Sequence, residues 1–302
     1  MLSRLCSHGM QRQNALAAAV NVATRNNHVP VVHALLEAGA GADGLVRHCQ
    51  TRSPICVAAM QDCVECAALL LRAKAAIARA LEDAAEHGSL TIVRLLLQVP
   101  GQTQRHLNAS LHQAARSGHA DICRVLCAAK AGVNDAQDDG SSALFGAVAL
   151  QKMNVVHTLL ECKACANTFM PLWAAVDNGS FAMVRVLLKH KADVQYRETF
   201  EGAVLSQAVL RRNVRMVRLL LAAKASANTS FTIAESTELV LHAAASYGHV
   251  GMLRLLLQCK ANPNARSSWN GGDATPLSYA LENNHDAAAQ VLCSFGALPE
   301  TH

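Results

Sequence analysis

The stretch Leu241-His242-Ala243-Ala244-Ala245-Ser246-Tyr247-Gly248-His249-Val250-Gly251-Met252-Leu253-Arg254-Leu255-Leu256-Leu257 decides the fold of this chain. Leu241 and Ala244 stand three apart and put two apolar side chains on one face of a short helix. The polar break Ser246-Tyr247-Gly248-His249 ends that helix, with Gly supplying the positive φ such an ending requires. A second helix follows, carrying Met252, Leu255, Leu256 and Leu257 as an amphipathic stripe. Neither helix can bury its face alone, so a neighbouring pair must supply the rest.

Working outward, the same unit recurs along the chain. Apolar anchors stand at Val20, Ile55, Leu81, Leu111, Leu144, Leu172, Leu205, Leu241 and Leu277. Three residues after each comes Ala: Ala23, Ala58, Ala84, Ala114, Ala147, Ala175, Ala208, Ala244 and Ala280. Twelve residues after each Ala comes Leu: Leu35, Leu70, Leu96, Leu126, Leu159, Leu187, Leu220, Leu256 and Leu292. Ala recurs because a bulkier side chain would push the neighbouring helix away. The steps between anchors range from 26 residues (Ile55 to Leu81) to 36 (Leu205 to Leu241), while the interval inside each unit never changes. Length variation therefore sits in the connections between units, as it does in stacked repeats with a period of about 33.

The segment from Leu241-His242-Ala243-Ala244 through Gly248-His249 to Leu255-Leu256-Leu257 resembles the ankyrin consensus, T-P-L-H-x-A-A-x-x-G-H followed by an aliphatic second helix. Leu111-His112-Gln113-Ala114-Ala115 through Gly118-His119 repeats it. Thr275-Pro276-Leu277 supplies the opening, with Thr as N-cap and Pro in the first turn. The resemblance covers about residues 14 to 298 in nine units. It implies an all-α solenoid of helix–turn–helix repeats with β-turn fingers in the connections. Residues 1–13 are left as an N-terminal extension open to disorder, and 299–302 as a short tail. Two departures stand out. Where the family usually has Gly after the second helix, this chain has Lys74, Lys130, Lys163, Lys191, Lys224 and Lys260. A Lys held there in the left-handed region costs about 1 kcal/mol relative to Gly, and its charge at a helix C-terminus offsets part of that. The short steps also leave too few residues for full fingers before Leu81 and before Leu172.

Composition narrows the function. Half of the chain (51%) is hydrophobic but only 4% is aromatic, so Ala and Leu must fill the core. Charged residues are 16%, too few for a disordered chain. The net charge of +5 and isoelectric point of about 8.7 allow an acidic partner yet fall short of a nucleic-acid binder's footprint. The most apolar run, residues 69 to 80, is broken by Arg72, Lys74 and Arg79, so no membrane insertion is expected. Eleven Cys in a long chain without a signal-peptide pattern point to a reducing compartment, the cytoplasm or the nucleus. Arg4, Arg12 and Arg25 precede the first acidic residue, Glu37, which is the bias of an organelle transit peptide. Against that, the repeat already begins at Val20.

Candidate chemistry is sparse. Of fourteen His, six are explained by the repeat: His28, His119, His249 and His285 at the turn, His112 and His242 at the T-P-L-H position. The pairs Cys63/Cys66 and Cys162/Cys165 have C-x-x-C spacing, but three repeats lie between them, so they cannot share a zinc ion. Cys there reads as a small hydrophobe. No P-loop, H-E-x-x-H or G-x-S-x-G motif occurs. No enzyme, cofactor or small-molecule substrate is expected.

What remains is surface. Arg94, Arg124, Arg185, Arg218 and Arg254 share one position on the second helices, beside His33 and His157. Their bland reading is a solvated face. Arg211, Arg212, Arg215 and Arg218 form a denser patch, with Arg197 one unit back, suited to an acidic partner segment. Phe145 and Trp173 replace the T-P-L-H histidine in successive repeats. Phe200, Phe231 and Trp269 lie in connections. The resemblance implies partner binding through the concave first-helix face and the fingers. The expectation is a monomeric, non-catalytic scaffold that binds another protein and not nucleic acid, through Phe145, Trp173, Arg197, Phe200, Arg211, Arg212, Phe231 and Trp269. The competing reading is a polyanion, nucleic acid or anionic membrane, on the Arg and Lys columns.

Overall fold

A computed structural model describes residues 2–44, 52–77, 79–137, 140–168, 170–195, 203–233, 236–267 and 274–299, with the backbone alone for 2–12 and 232–237. The described residues form eighteen helices and one two-stranded hairpin. They cluster into two compact units, Met1–Ala164 and Cys165–His302, where the sequence was read as one array. The division falls in one of the shortened connections.

The first unit holds the pairs α1 (Leu2–Arg25) and α2 (Val29–Glu37), α3 (Pro54–Met60) and α4 (Val64–Arg72), α5 (Ala80–His87) and α6 (Leu90–Gln98), α7 (Gln104–Ser117) and α8 (Ala120–Ala128), and α9 (Ala143–Ala149) and α10 (Met153–Glu161). The second holds α11 (Pro171–Asp177) and α12 (Phe181–Lys189), and α13 (Val204–Leu210) and α14 (Val214–Ala222). The hairpin β1 (Ser230–Ile233) and β2 (Ser236–Leu239) follows, then α15 (Val240–Ser246) and α16 (Val250–Gln258), and α17 (Pro276–Glu282) and α18 (Asp286–Ser294). Every anchor and every Ala of the repeat pattern is buried. So are the twelve-residue Leu partners, apart from a half-buried Leu35.

Every second helix but α6, which runs straight into extended backbone at Val99, ends the same way. In the fourth pair Ala131 N–H donates to Leu126 O and Lys130 N–H to Cys127 O, both at 3.0 Å, the two bonds of a Schellman ending. The residue between must be left-handed. Lys74, Lys130, Lys163, Lys191, Lys224 and Lys260 all are, with φ from 60 to 70°. Gly39 and Gly296 hold that place in the first and last pairs, at 81 and 90°. Asparagines then tie one repeat to the next. Asn228 Nδ2 donates to Lys260 O at 3.2 Å, and its Oδ1 accepts from Asn262 N–H at 2.8 Å. Asn264 does the same with Gly296 O (3.0 Å) and Leu298 N–H (2.8 Å).

Two of the turn histidines, His119 and His285, have a physical role. The ring of His285 lies over Gly248 of the preceding repeat and bonds Ser246 O at 3.0 Å. His119 lies over Gly88 and bonds Glu86 O at 3.1 Å. Gly248 has φ 63°, and a Cβ there would fall 2.6 Å from His285 Nδ1. Gly179 has φ 66° with nothing within 4 Å of its Cβ position. Gly248→Ala is therefore expected to destabilise by about 2 kcal/mol, a left-handed term plus a displaced inter-repeat hydrogen bond. Gly179→Ala carries the left-handed term alone, about 1 kcal/mol. Urea midpoints of the two variants check this; equal losses would refute the packing role of His285.

One expectation changes. The connections before Leu81 (residues 73–79) and Leu172 (162–170) are short, as the spacing predicts, but the connection before Leu111 is shorter still. There α7 starts at Gln104, capped by Thr103, whose hydroxyl accepts from His106 N–H at 3.3 Å. Gln104 to Leu107 contain no turn former, so the chain that elsewhere forms a finger continues as helix. At the N-terminus, α1 runs from Leu2 to Arg25, into the first repeat.

Candidate partner-binding surfaces

At the T-P-L-H position the two histidines and their two aromatic replacements differ in burial. His112 and His242 are buried, at 4% and 0% exposure, and bond backbone carbonyls: Asp135 O at 3.2 Å and Ala274 O at 3.1 Å. His242 also meets Tyr279 edge-on, with ring centroids 5.5 Å apart, and burial holds its ring below the usual histidine range. Phe145 and Trp173 stay half-exposed at the same repeat position in their own units. Short first helices hold both side chains. Ser142 caps α9 by accepting from Phe145 N–H at 3.1 Å, and Pro171 opens α11. The indole Nε1 of Trp173 is buried and finds no acceptor among the described residues. Beside it lies a cavity of about 10 Å³, lined by Met170, Pro171, Leu172, Trp173 and Val204, room for about one water.

Phe231 corrects the sequence reading. It does not project from a finger: it is 1% exposed, on β1, opposite the buried Glu238 of β2. The strand alternation turns both side chains inward, which no count of connection length could reveal. Arg197, Phe200 and Trp269 lie outside the described residues.

The arginine patch also divides. Arg211 ends α13 and pairs with Asp177 of α11, its Nε donating to Oδ1 at 2.9 Å. Arg212 is the left-handed turn residue, φ 54°, and its guanidinium sits 4.3 Å from the Tyr247 ring centroid. Both are committed within the second unit, so neither is the free steering charge expected of it. Arg215 and Arg218 point elsewhere. With Arg185 and Phe181 of α12 and Leu219 and Ala222 of α14 they line a groove of about 510 Å³. Phe181 was missed in the sequence because it stands at the polar N-terminal edge of a second helix. Its spacing of four to Arg185 was the available signal.

Four cysteines behave as core atoms, whereas Cys165, Cys259 and Cys293 are exposed. Cys56, Cys63, Cys66 and Cys123 are buried, and burial pushes the Cys66 and Cys123 thiols up to about 12. Cys63 Sγ accepts from Cys66 N–H at 3.3 Å, so this C-x-x-C is a helix cap. Among the described residues no group of three or more His, Cys, Asp or Glu converges as a metal site. No described helix is long and apolar enough to cross a membrane.

A family model described as "Ankyrin repeats (3 copies)" matches residues 81–170, 111–198 and 205–301, most of the chain. The chain belongs to the ankyrin repeat family. Ankyrin repeats are in general non-catalytic protein–protein interaction modules. The chain is 25% identical over 195 residues to the transient receptor potential cation channel subfamily A member 1 homolog of Caenorhabditis elegans, covering 62% of this chain and 15% of the channel. The crystal structure of the human ASB11 ankyrin repeat domain superposes with a TM-score of 0.56 at 26% identity, covering 73% of this chain and 99% of that domain. The ankyrin repeat domain of Bcl-3 superposes at 0.61 with 22% identity, covering 70% and 97%, a likeness of fold. This ankyrin chain thus spans about a sixth of the channel homologue it matches.

Proposed function

We propose that this ankyrin repeat chain is a non-catalytic scaffold that holds a partner protein on the first-helix faces of its repeats. Trp173 anchors the second unit and Phe145 the first. One observation carries the reading. At a single repeat position, histidines are buried and spent on backbone carbonyls, while the two aromatic replacements stay half-exposed. Half-exposed Trp is the residue type that dominates binding hot spots, and truncating such an anchor costs about 2 kcal/mol or more. Cys as a core residue suits a reducing compartment such as the cytoplasm.

The test is quantitative capture from the source cell's lysate, at low and physiological ionic strength. Proteins retained by the native chain are expected to fall about tenfold or more with Trp173→Ala, and separately with Phe145→Ala, at both salts. The exposed Arg94, Arg124, Arg185, Arg218 and Arg254 favour the rival polyanion reading. That reading predicts bound nucleic acid or lipid that survives both substitutions and washes off steeply with salt.

A further inference from the structure

We infer that the groove between α12 and α14 is a second binding site, for an acidic segment of a partner protein that carries an apolar side chain between its carboxylates. The site is distinct from the first-helix face, because it is built wholly from second helices.

The argument starts from spacing. On α14, Arg215, Arg218, Leu219 and Ala222 stand at i, i+3, i+4 and i+7, one face of a helix. On α12, Phe181 and Arg185 stand four apart and face the same groove. Its volume, about 510 Å³, is large enough for a bulky side chain. Its floor is apolar, from Leu219, Ala222 and the Phe181 ring. Phe181 is 36% exposed on the second-helix face, where the repeat needs no aromatic for its core. Three guanidinium groups rim this apolar floor.

Charge complementarity selects the occupant. Neither α12 (Phe181–Lys189) nor α14 (Val214–Ala222) contains an acidic residue. Elsewhere in the same column Arg124 is partnered by Asp121 of its own helix at 3.0 Å. Arg185, Arg215 and Arg218 have no such carboxylate on theirs. A ligand that satisfies both features must bring carboxylates for the rim and an apolar group for the floor. A phosphate backbone meets the rim but leaves the aliphatic floor of Leu219 and Ala222 against water. Arginine forks and carboxylates pair with the geometry this rim offers.

The experiment uses the full chain and two short fluorescein-labelled peptides, followed by fluorescence anisotropy. One carries a Leu-Phe pair between two runs of Asp and Glu; the other has Ser-Ser in that place. The native chain is expected to bind the Leu-Phe peptide saturably and about tenfold more tightly than the Ser-Ser peptide. Phe181→Ala should bring the two peptides within about twofold of each other, and Arg185→Glu/Arg218→Glu should abolish saturable binding of both. Arg94→Glu/Arg124→Glu, the same column in the first unit, should leave binding within about twofold, as should Trp173→Ala. All substituted side chains here other than Trp173 are exposed, and melting curves check that each variant folds. The proposal is overturned if the native chain binds neither peptide saturably or both alike. Equal loss with the first-unit pair also overturns it, as does preference for a labelled single-stranded RNA of equal charge. So does a dimer in sedimentation that Phe181→Ala dissolves, since the occupant is then a second copy. Trp173→Ala sinks the first-helix reading without touching this groove, and Phe181→Ala does the reverse, so the two failures are distinguishable.

Discussion

Glu238→Gln is expected to stabilise the chain by about 3 kcal/mol at pH 8 and to change nothing at pH 4. Glu238 is 7% exposed, paired across the hairpin with fully buried Phe231. Burial pushes its carboxyl up from 4.5 to about 7. Below pH 4.5 the side chain is neutral in both folded and unfolded chains, and Gln is nearly isosteric with it. Between 4.5 and 7 the unfolded chain has released the proton while the folded chain keeps it. The unfolded state then binds fewer protons, so native stability falls as pH rises through that window. Above 7 the folded chain carries a buried carboxylate and the loss levels off. Gln carries no charge to desolvate and removes this slope.

Two further buried groups of this unit are shifted as well. Tyr279 of α17 is pushed up to about 12, first by burial and then by the charge of Glu238. His242 of α15 is held neutral by burial. Its sign is opposite: as pH falls through 6.5 the unfolded histidine takes a proton that the folded one refuses, so stability is lost on the acid side. Urea unfolding of native and Glu238→Gln chains at pH 4, 6 and 8 reads the difference directly. Parallel curves across that range would mean that Glu238 ionises freely in the folded chain.

The second large effect comes from the six lysines. Changing Lys74, Lys130, Lys163, Lys191, Lys224 and Lys260 together to Gly is expected to stabilise the chain by about 3 kcal/mol, roughly 0.5 per site. A left-handed non-Gly residue costs about 1–2 kcal/mol. Gly brings back about 0.5–1 through the greater entropy of its unfolded state, and the mostly exposed ammonium gives up a few tenths at the helix end. The sites stand in different repeats, so their effects add. Gly39 and Gly296 already occupy this position with the same Schellman bonds, so the backbone needs no rearrangement. The control is six Ala at the same places. Ala keeps the left-handed penalty and loses the charge, so it should give no gain. A gain with Ala equal to that with Gly would mean that charge removal, not backbone relief, is responsible.

How far the residues alone could carry this protein depends on whether the interaction is local. The helix pairs, their caps and their core were legible because each rests on spacing within one repeat. Leu241 and Ala244 share a face whatever their neighbours do, and Lys130 must turn left-handed if its helix is to end where the pattern ends. The recurrence of twelve residues from Ala to Leu then needs no fold to be recognised as a stack. What failed were readings that depend on the next repeat. One local reading failed too: Gln104–Asn108 could have been finger or helix, and the Thr103 cap three residues from His106 decided it. Phe231 sits in a connection, but cross-strand pairing with Glu238 turned it inward. Arg211 and Arg212 looked like free charges until Asp177 and Tyr247, thirty or more residues away, took them. The groove of Phe181, Arg185, Arg215 and Arg218 needed two helices brought side by side. The sequence by itself determined the repeat, its core and its strained helix ends, because those follow from backbone geometry and apolar periodicity. Only the tertiary structure decided which surface charges and aromatics remain available to a partner, because availability is set by contacts between repeats that no single repeat encodes.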